Sequence, residues 1–261
     1  MVKKFIKENW KSIVFFIVAG LIGGFFIGID LLESYPPEIK QQVIDEMIAS
    51  GVGGIPVDLA MGVLTSYQGA GYGLVLGVVG IILGKKIGLW KNEISIRKKP
   101  LLITLGVGVL GGLVMILADM LYFNNHLPAI KELYNFKPTF AYIVGCVLYG
   151  GVIEEVMMRL FFLSLIAFLL YKIFERKQEK PSVRILIIAN IIAAILFAAG
   201  HLPATLILFG NDPMLLIRCF VLNGGFGLLF GWLYRKYGLR YAMIAHAGCH
   251  IVSKVIWILF I

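Results

Sequence analysis

Apolar and polar positions alternate along this chain on a long scale. Runs of apolar residues occupy about 12–32, 67–83, 101–123, 139–171, 184–209, 214–234 and 241–261, with short charged stretches between them. About 20 apolar residues at about 1.5 Å rise cross a bilayer, so each run is a candidate crossing. The pattern predicts seven crossings within an all-α, polytopic transmembrane bundle of about 7 to 8 membrane helices. No linker is long enough to divide it. Residues 1–138 form N-terminal membrane helices with an amphipathic external segment, and 139–261 form a membrane core, together one integrated domain.

The placement of basic residues orients these crossings. Lys3, Lys4, Lys7 and Lys11 precede the first, and Lys85, Lys86, Lys91, Arg97, Lys98 and Lys99 follow the second. Lys172, Arg176, Lys177, Lys180 and Arg184 follow the fourth, and Arg235, Lys236 and Arg240 follow the sixth. The alternate connections hold only Lys40, Lys131 and Lys137, a bias of eighteen against three. That bias predicts a cell-membrane, multi-pass protein with a cytoplasmic N-terminus and an external C-terminus. It also requires the long run 139–171 to be one tilted or broken helix, because two crossings there would reverse every later loop.

Composition agrees. Of 261 residues, 59% are hydrophobic and 15% charged, outside the range of soluble domains. The net charge of +9 then reports topology and contact with anionic lipid, and no nucleic-acid partner is expected. The first apolar run is too long for a signal-peptide core and lacks a small-residue cleavage site after it, so it is read as a retained helix. Cys146, Cys219 and Cys249 lie in apolar runs and are read as buried small hydrophobes. After Pro36 and Pro37, the helical spacing of Ile39, Val43 and Met47 predicts a short interfacial helix. Glycines at 77 to 84, 108 with 112, and 227 with 231 have spacings that let helices approach closely.

A charge at the bilayer centre costs about 2.5–3.5 kcal/mol on insertion scales, so each one needs a reason. The intramembrane polar residues are read as gathering in three runs. The fourth crossing carries Glu154, Glu155 and Arg159; acid-first spacing at i,i+4 pairs Glu155 with Arg159 and leaves Glu154 without a local cation. Such a carboxylate suits a general acid or base; the same residues could instead form a polar knot between helices. The fifth crossing carries Phe197 and His201, with Pro203 predicting a break just beyond. The last carries His246 and His250 at i,i+4, the spacing by which one helix presents two imidazoles to one metal ion or substrate group. His126, beside Asn124 and Asn125, is read as exposed in an outer loop.

Glu-Glu-x-x-x-Arg, Phe-x-x-x-His and His-x-x-x-His, in this order on successive membrane segments over roughly 139–261, resemble the CAAX-protease and bacteriocin-processing (CPBP, Abi) family of intramembrane proteases. That family includes the type II CAAX prenyl endopeptidases. The resemblance implies a hydrolase in which Glu154 and His201 activate water for attack on a peptide carbonyl, while His246 and His250 bind or stabilise the oxyanion. Glu155 and Arg159 belong to the same catalytic set. His250 stands where Asn or Asp is common. A third histidine beside a glutamate suggests a metalloprotease with His201, His246 and His250 on a divalent metal, zinc, whose bound water would have a pKa of about 7. The partners expected are a membrane-embedded or lipidated peptide or protein substrate and the membrane lipids.

Other classes fit parts of this pattern. A proton-coupled transporter also buries Glu and His, but would spread them in depth and often shows an internal repeat, which is not visible here. A non-catalytic bacteriocin-immunity or interaction protein would keep the fold without needing the motifs. A lipid amide or ester hydrolase would use the same groups.

Overall fold

The computed structural model describes residues 2–52, 54–91 and 96–261. The predicted second basic connection therefore falls partly outside the described residues, at 92–95. The chain folds into seven helices long and apolar enough to cross a membrane: α1 Val2–Ser34, α2 Val57–Lys86, α3 Lys98–His126, α4 Phe140–Phe174, α5 Val183–Phe209, α6 Pro213–Tyr237 and α7 Leu239–Phe260. No strand occurs among the described residues. Lys85 of α2 pairs with Glu8 of α1 at 3.0 Å, and Trp90 Nε1 donates to Asn9 Oδ1 at 3.0 Å. These contacts hold the lysine-rich start of α1 and the end of α2 together at what is here called the basic end. The short helix Pro37–Met47 forms as the spacing predicts, with no buried residue, at the far end.

The second crossing begins at Val57, well before the hydropathy boundary at 67. Polar residues mask its first turns, yet they are committed to α1. Ser66 Oγ donates to the Leu21 carbonyl at 2.8 Å, and Met61, Gly62 and Gly69 are buried. Gly20 and Gly69 meet backbone to backbone, and a Cβ on either would collide with the other's carbonyl. With little hydrophobic drive between helices in lipid, such close approach is what holds this pair. The predicted glycine seams also form: Gly108 lies against Gly248, and Gly227 against Ala194.

The fourth crossing is one continuous helix, as the charge alternation requires. It is wound as π-helix over Cys146–Glu154 and again over Val156–Leu163, either side of Glu155. Such i→i+5 turns are rare and concentrate at functional sites. α5 divides where Pro203 predicts: Val183–Gly200 ends at His201 (φ −86, ψ −11), and Leu202–Phe209 continues with Pro203 in its first turn. The core lies among α4, α6 and α7, where Ile153, Val156, Leu160, Leu163, Leu233 and Ala245 are fully buried. Leu102, Leu105 and Val109 of α3, and Ile187, Ile191 and Ile195 of α5, are exposed, as a lipid-facing surface must be.

One expectation needs correction. The intramembrane charges are not confined to three runs: Asp119 of α3, Arg218 of α6 and Lys254 of α7 also lie inside the bundle. Arg218 grips Asp119 through Nε and Nη2 at 2.6 and 2.7 Å, and the Tyr134 hydroxyl donates to the same carboxylate at 2.7 Å. Each is a single charge in an apolar stretch, so it disturbs hydropathy too little to stand out, and its partner is distant in sequence.

Candidate active site

The site is built on α4, whose two adjacent glutamates leave the helix in different directions. Glu155 is fully buried. Its Oε1 lies 3.0 Å from Arg159 Nη1, the pairing predicted from the i,i+4 spacing. Arg159 also donates to the Gly227 carbonyl at 3.3 Å, and its guanidinium lies over the rings of Phe197 and Phe230 at 4.5 and 5.5 Å. The cation is thereby held from α5 and α6, and the carboxylate it pairs with is fixed in turn.

The same Glu155 oxygen lies 2.8 Å from His246 Nδ1 on α7. A carboxylate only accepts, so Nδ1–H donates and the ring turns Nε2 the other way. There it meets Glu154, whose Oε2 is 4.0 Å distant. His246 is thus bracketed by the two glutamates of one helix. Its ring is clamped between Phe230 at 4.6 Å and His250 at 4.9 Å, both nearly parallel, with Phe197 edge-on at 6.0 Å. Glu154 keeps 24% side-chain exposure, and a gap of 4.0 Å to Nε2 is one that a bridging water spans.

His250 presents Nε2 to Gly150 on α4, where a Cβ would stand 2.8 Å from it. Its Nδ1 is buried without a hydrogen-bond partner. His201, at the break in α5, bonds through Nδ1 to the Phe197 carbonyl at 2.8 Å, so Nδ1–H donates and Nε2 remains an acceptor. Its ring meets the Phe197 ring edge-on at 4.7 Å, and Phe197 links it to His246. Among the described residues, no hydrogen bond or ion pair joins His201 to Glu154; the histidine beside Glu154 is His246. His126 is exposed and bonded to the Tyr122 carbonyl, apart from the site as predicted.

The donor set expected for zinc is not assembled as one. His246 commits Nδ1 to Glu155, and His201 commits Nδ1 to backbone. Among the described residues, no three His, Cys, Asp or Glu side chains form a group that could hold a metal ion. Two participants escape a reading by motif. Phe230 stacks on His246 from an apolar stretch of α6, where nothing marks it. Gly150 makes room for His250, and its place four residues before Glu154 was the available signal.

Fold and site together define a polytopic membrane protein with a buried carboxylate–imidazole centre. Residues 136–252, which contain every one of these site residues, match the family described as Type II CAAX prenyl endopeptidase Rce1-like. Over this stretch, a little under half of the chain, the sequence is similar to that family of membrane endopeptidases. No curated protein and no solved structure matches it.

Proposed function

We propose that this protein is an intramembrane endopeptidase of the CAAX type, hydrolysing a peptide bond of a membrane-associated peptide or protein with water activated by Glu154. The observation that carries this is the bracketing of His246 between Glu155 and Glu154. Water seated between Glu154 and His246 Nε2 gives a proton to Glu154 as its oxygen bonds to the substrate carbonyl carbon. The carbonyl π electrons move to oxygen, and His250, whose Nδ1 has no hydrogen-bond partner, supplies an imidazole N–H to the oxyanion, while His246 Nε2 accepts from the water. When the tetrahedral centre collapses, the C–N bond breaks and Glu154 returns its proton to the leaving amine. Glu155 and Arg159 hold the His246 ring in position throughout. His201, with Nε2 free to accept, assists Glu154 at the water.

All of these steps use protein groups, in keeping with the lack of a grouped ligand set among the described residues. The bias of basic residues supports a cytoplasmic basic end. A substrate anchored by a lipid or an apolar helix would reach Glu154 from within the bilayer.

The test compares purified wild type with Glu154→Gln on a membrane-peptide library, with metal content assayed on both. Cleavage should fall about 10³-fold in the variant, within the range for loss of a general base, with an unchanged melting midpoint. Stoichiometric zinc in active wild type would replace the metal-free route. Cleavage undiminished in Glu154→Gln would refute the assignment.

A further inference from the structure

A cleft of about 700 Å³ opens at the basic end between α1 and α7, and the α2–α3 connection and the α6–α7 turn complete its walls. That volume lies within the range of small-molecule sites, about 300–1,000 Å³. The lining holds Lys7, Lys11, Lys91, Arg97 and Arg240, with Glu8 the sole acid among the described residues. Glu8 pairs with Lys85 at 3.0 Å, and Lys91 Nζ donates to the Lys236 carbonyl at 3.1 Å. Lys11 has the face of Trp10, at 5.8 Å. Among the described residues, the side chains of Lys7, Lys11, Arg97 and Arg240 make no hydrogen bond or ion pair. The cleft thus carries an excess of positive charge that the protein itself does not neutralise.

Charge and apolar surface are separated along its depth. On α1, Lys7, Lys11 and Phe15 follow one another at one-turn intervals on one face, so Phe15 lies about 12 Å further along the helix than Lys7. α7 enters from the same end and repeats the order, with Arg240 first, Ile244 one turn in, and Met243 buried beside it. Trp90 and Tyr241 line the boundary between the two zones, at the depth where amphipathic rings sit in a bilayer. Trp10 and Phe15 are half exposed, so this wall is not covered by protein. A bias of basic residues towards one side of the membrane needs only solvated loops; it does not require a cleft that is cationic at the mouth and apolar within.

We propose that this cleft binds an anionic phospholipid, its headgroup phosphate held by Lys11 and Arg240 and an acyl chain laid against Phe15 and Ile244. Basic pockets between membrane helices take anionic headgroups, and the apolar wall selects an amphiphile over a free phosphate, which would leave that wall bare. The bound lipid bridges the first and seventh crossings. None of these residues belongs to the catalytic centre, so the site stands whether or not the protein cleaves peptides.

The experiment uses the full chain in phosphatidylcholine nanodiscs with increasing phosphatidylglycerol, and native mass spectrometry of the same protein released into detergent. Wild type should retain phosphatidylglycerol in preference to phosphatidylcholine, and its melting midpoint should rise with the phosphatidylglycerol fraction. The double variant Lys11→Gln/Arg240→Gln should bind phosphatidylglycerol at least ten-fold more weakly, while Lys98→Gln/Lys99→Gln, two basic residues at the same end but outside the cleft, should bind as wild type does. Equal losses in the two double variants would assign the effect to the general surface potential and overturn the proposal. Equal retention of phosphatidylcholine, or displacement of phosphatidylglycerol by millimolar inorganic phosphate, overturns it as well, the latter in favour of a free-anion site. A measurement on wild type alone covers the case of a double variant that does not fold: phosphatidylglycerol with a photoreactive diazirine in its acyl chain should label residues 10–16 and 239–244. Adducts spread evenly around the bundle would refute the site.

Discussion

Two buried ionic clusters occupy the same bundle and are built on opposite principles. At the far end, Asp119 is gripped by both Arg218 nitrogens and by Tyr134, so each carboxylate oxygen has a partner. Around it Phe123, Leu127, Ile130 and Leu215 close a small apolar core of their own. In the site, Glu155 Oε2 and His250 Nδ1 are buried without a hydrogen bond, and Glu154 faces His246 across a gap. The first cluster is saturated and rigidifies. The second retains unused donors and acceptors, which is the state a reacting group needs before substrate and water arrive. Removing a partner should therefore cost stability in one and turnover in the other.

The sharpest break in this comparison is Glu154→Gln, expected to lower cleavage about 10³-fold, equivalent to about 4 kcal/mol of barrier, without lowering the melting midpoint. Next is Asp119→Ala, which leaves Arg218 buried and unpaired. It should destabilise the bundle by about 3 kcal/mol in a reversible unfolding assay, with specific activity of the folded fraction retained. Were activity lost in step with Glu154→Gln instead, the two clusters would be coupled and the contrast false. Smaller is Gly150→Ala. Its methyl group must displace the His250 imidazole, so turnover should fall about ten-fold at a stability cost of about 1–2 kcal/mol, consistent with overpacking.

The smallest effect lies outside the membrane. The Ser182 hydroxyl and amide both donate to Glu175, at 2.6 and 2.7 Å, and hold its carboxyl below the usual carboxylate range. Its charged form is favoured by folding. The contribution is thus present above the ordinary carboxylate pKa and lost as pH falls through the lower folded value. In Glu175→Gln, amides at the start of α5 should exchange faster at neutral pH, and the difference from wild type should vanish in acid. A pH-independent difference would show that the carboxylate charge is not what holds this turn.

Much of this was legible before any coordinates. Seven crossings follow from hydropathy, and the continuity of α4 follows from the basic loops on either side of it. The Glu155–Arg159 pair follows from spacing alone, because i,i+4 on a helix is a local fact. The bracketing of His246 was not legible, since it depends on how α4 and α7 pack and on π-helical turns that re-aim both glutamates. The family resemblance set Glu154 with His201, whereas the ring beside Glu154 in the fold is His246. Asp119, Arg218 and Lys254 were hidden for another reason. Motif reading rewards clustered chemistry, and a solitary charge within an apolar run looks like noise until its surroundings are known. The α1–α2 seam at Gly20 and Gly69 was masked in turn by the polar residues that begin α2.

The local pairing of Glu155 with Arg159 also bears on how the chain is made. A fourth helix entering the bilayer with a carboxylate and a guanidinium one turn apart carries its own neutralisation, so insertion need not wait for later segments. Its second partner, His246, arrives only with the seventh helix. The contact between Glu155 and His246 thus forms only once α7 has joined α4, so the site is completed late in assembly.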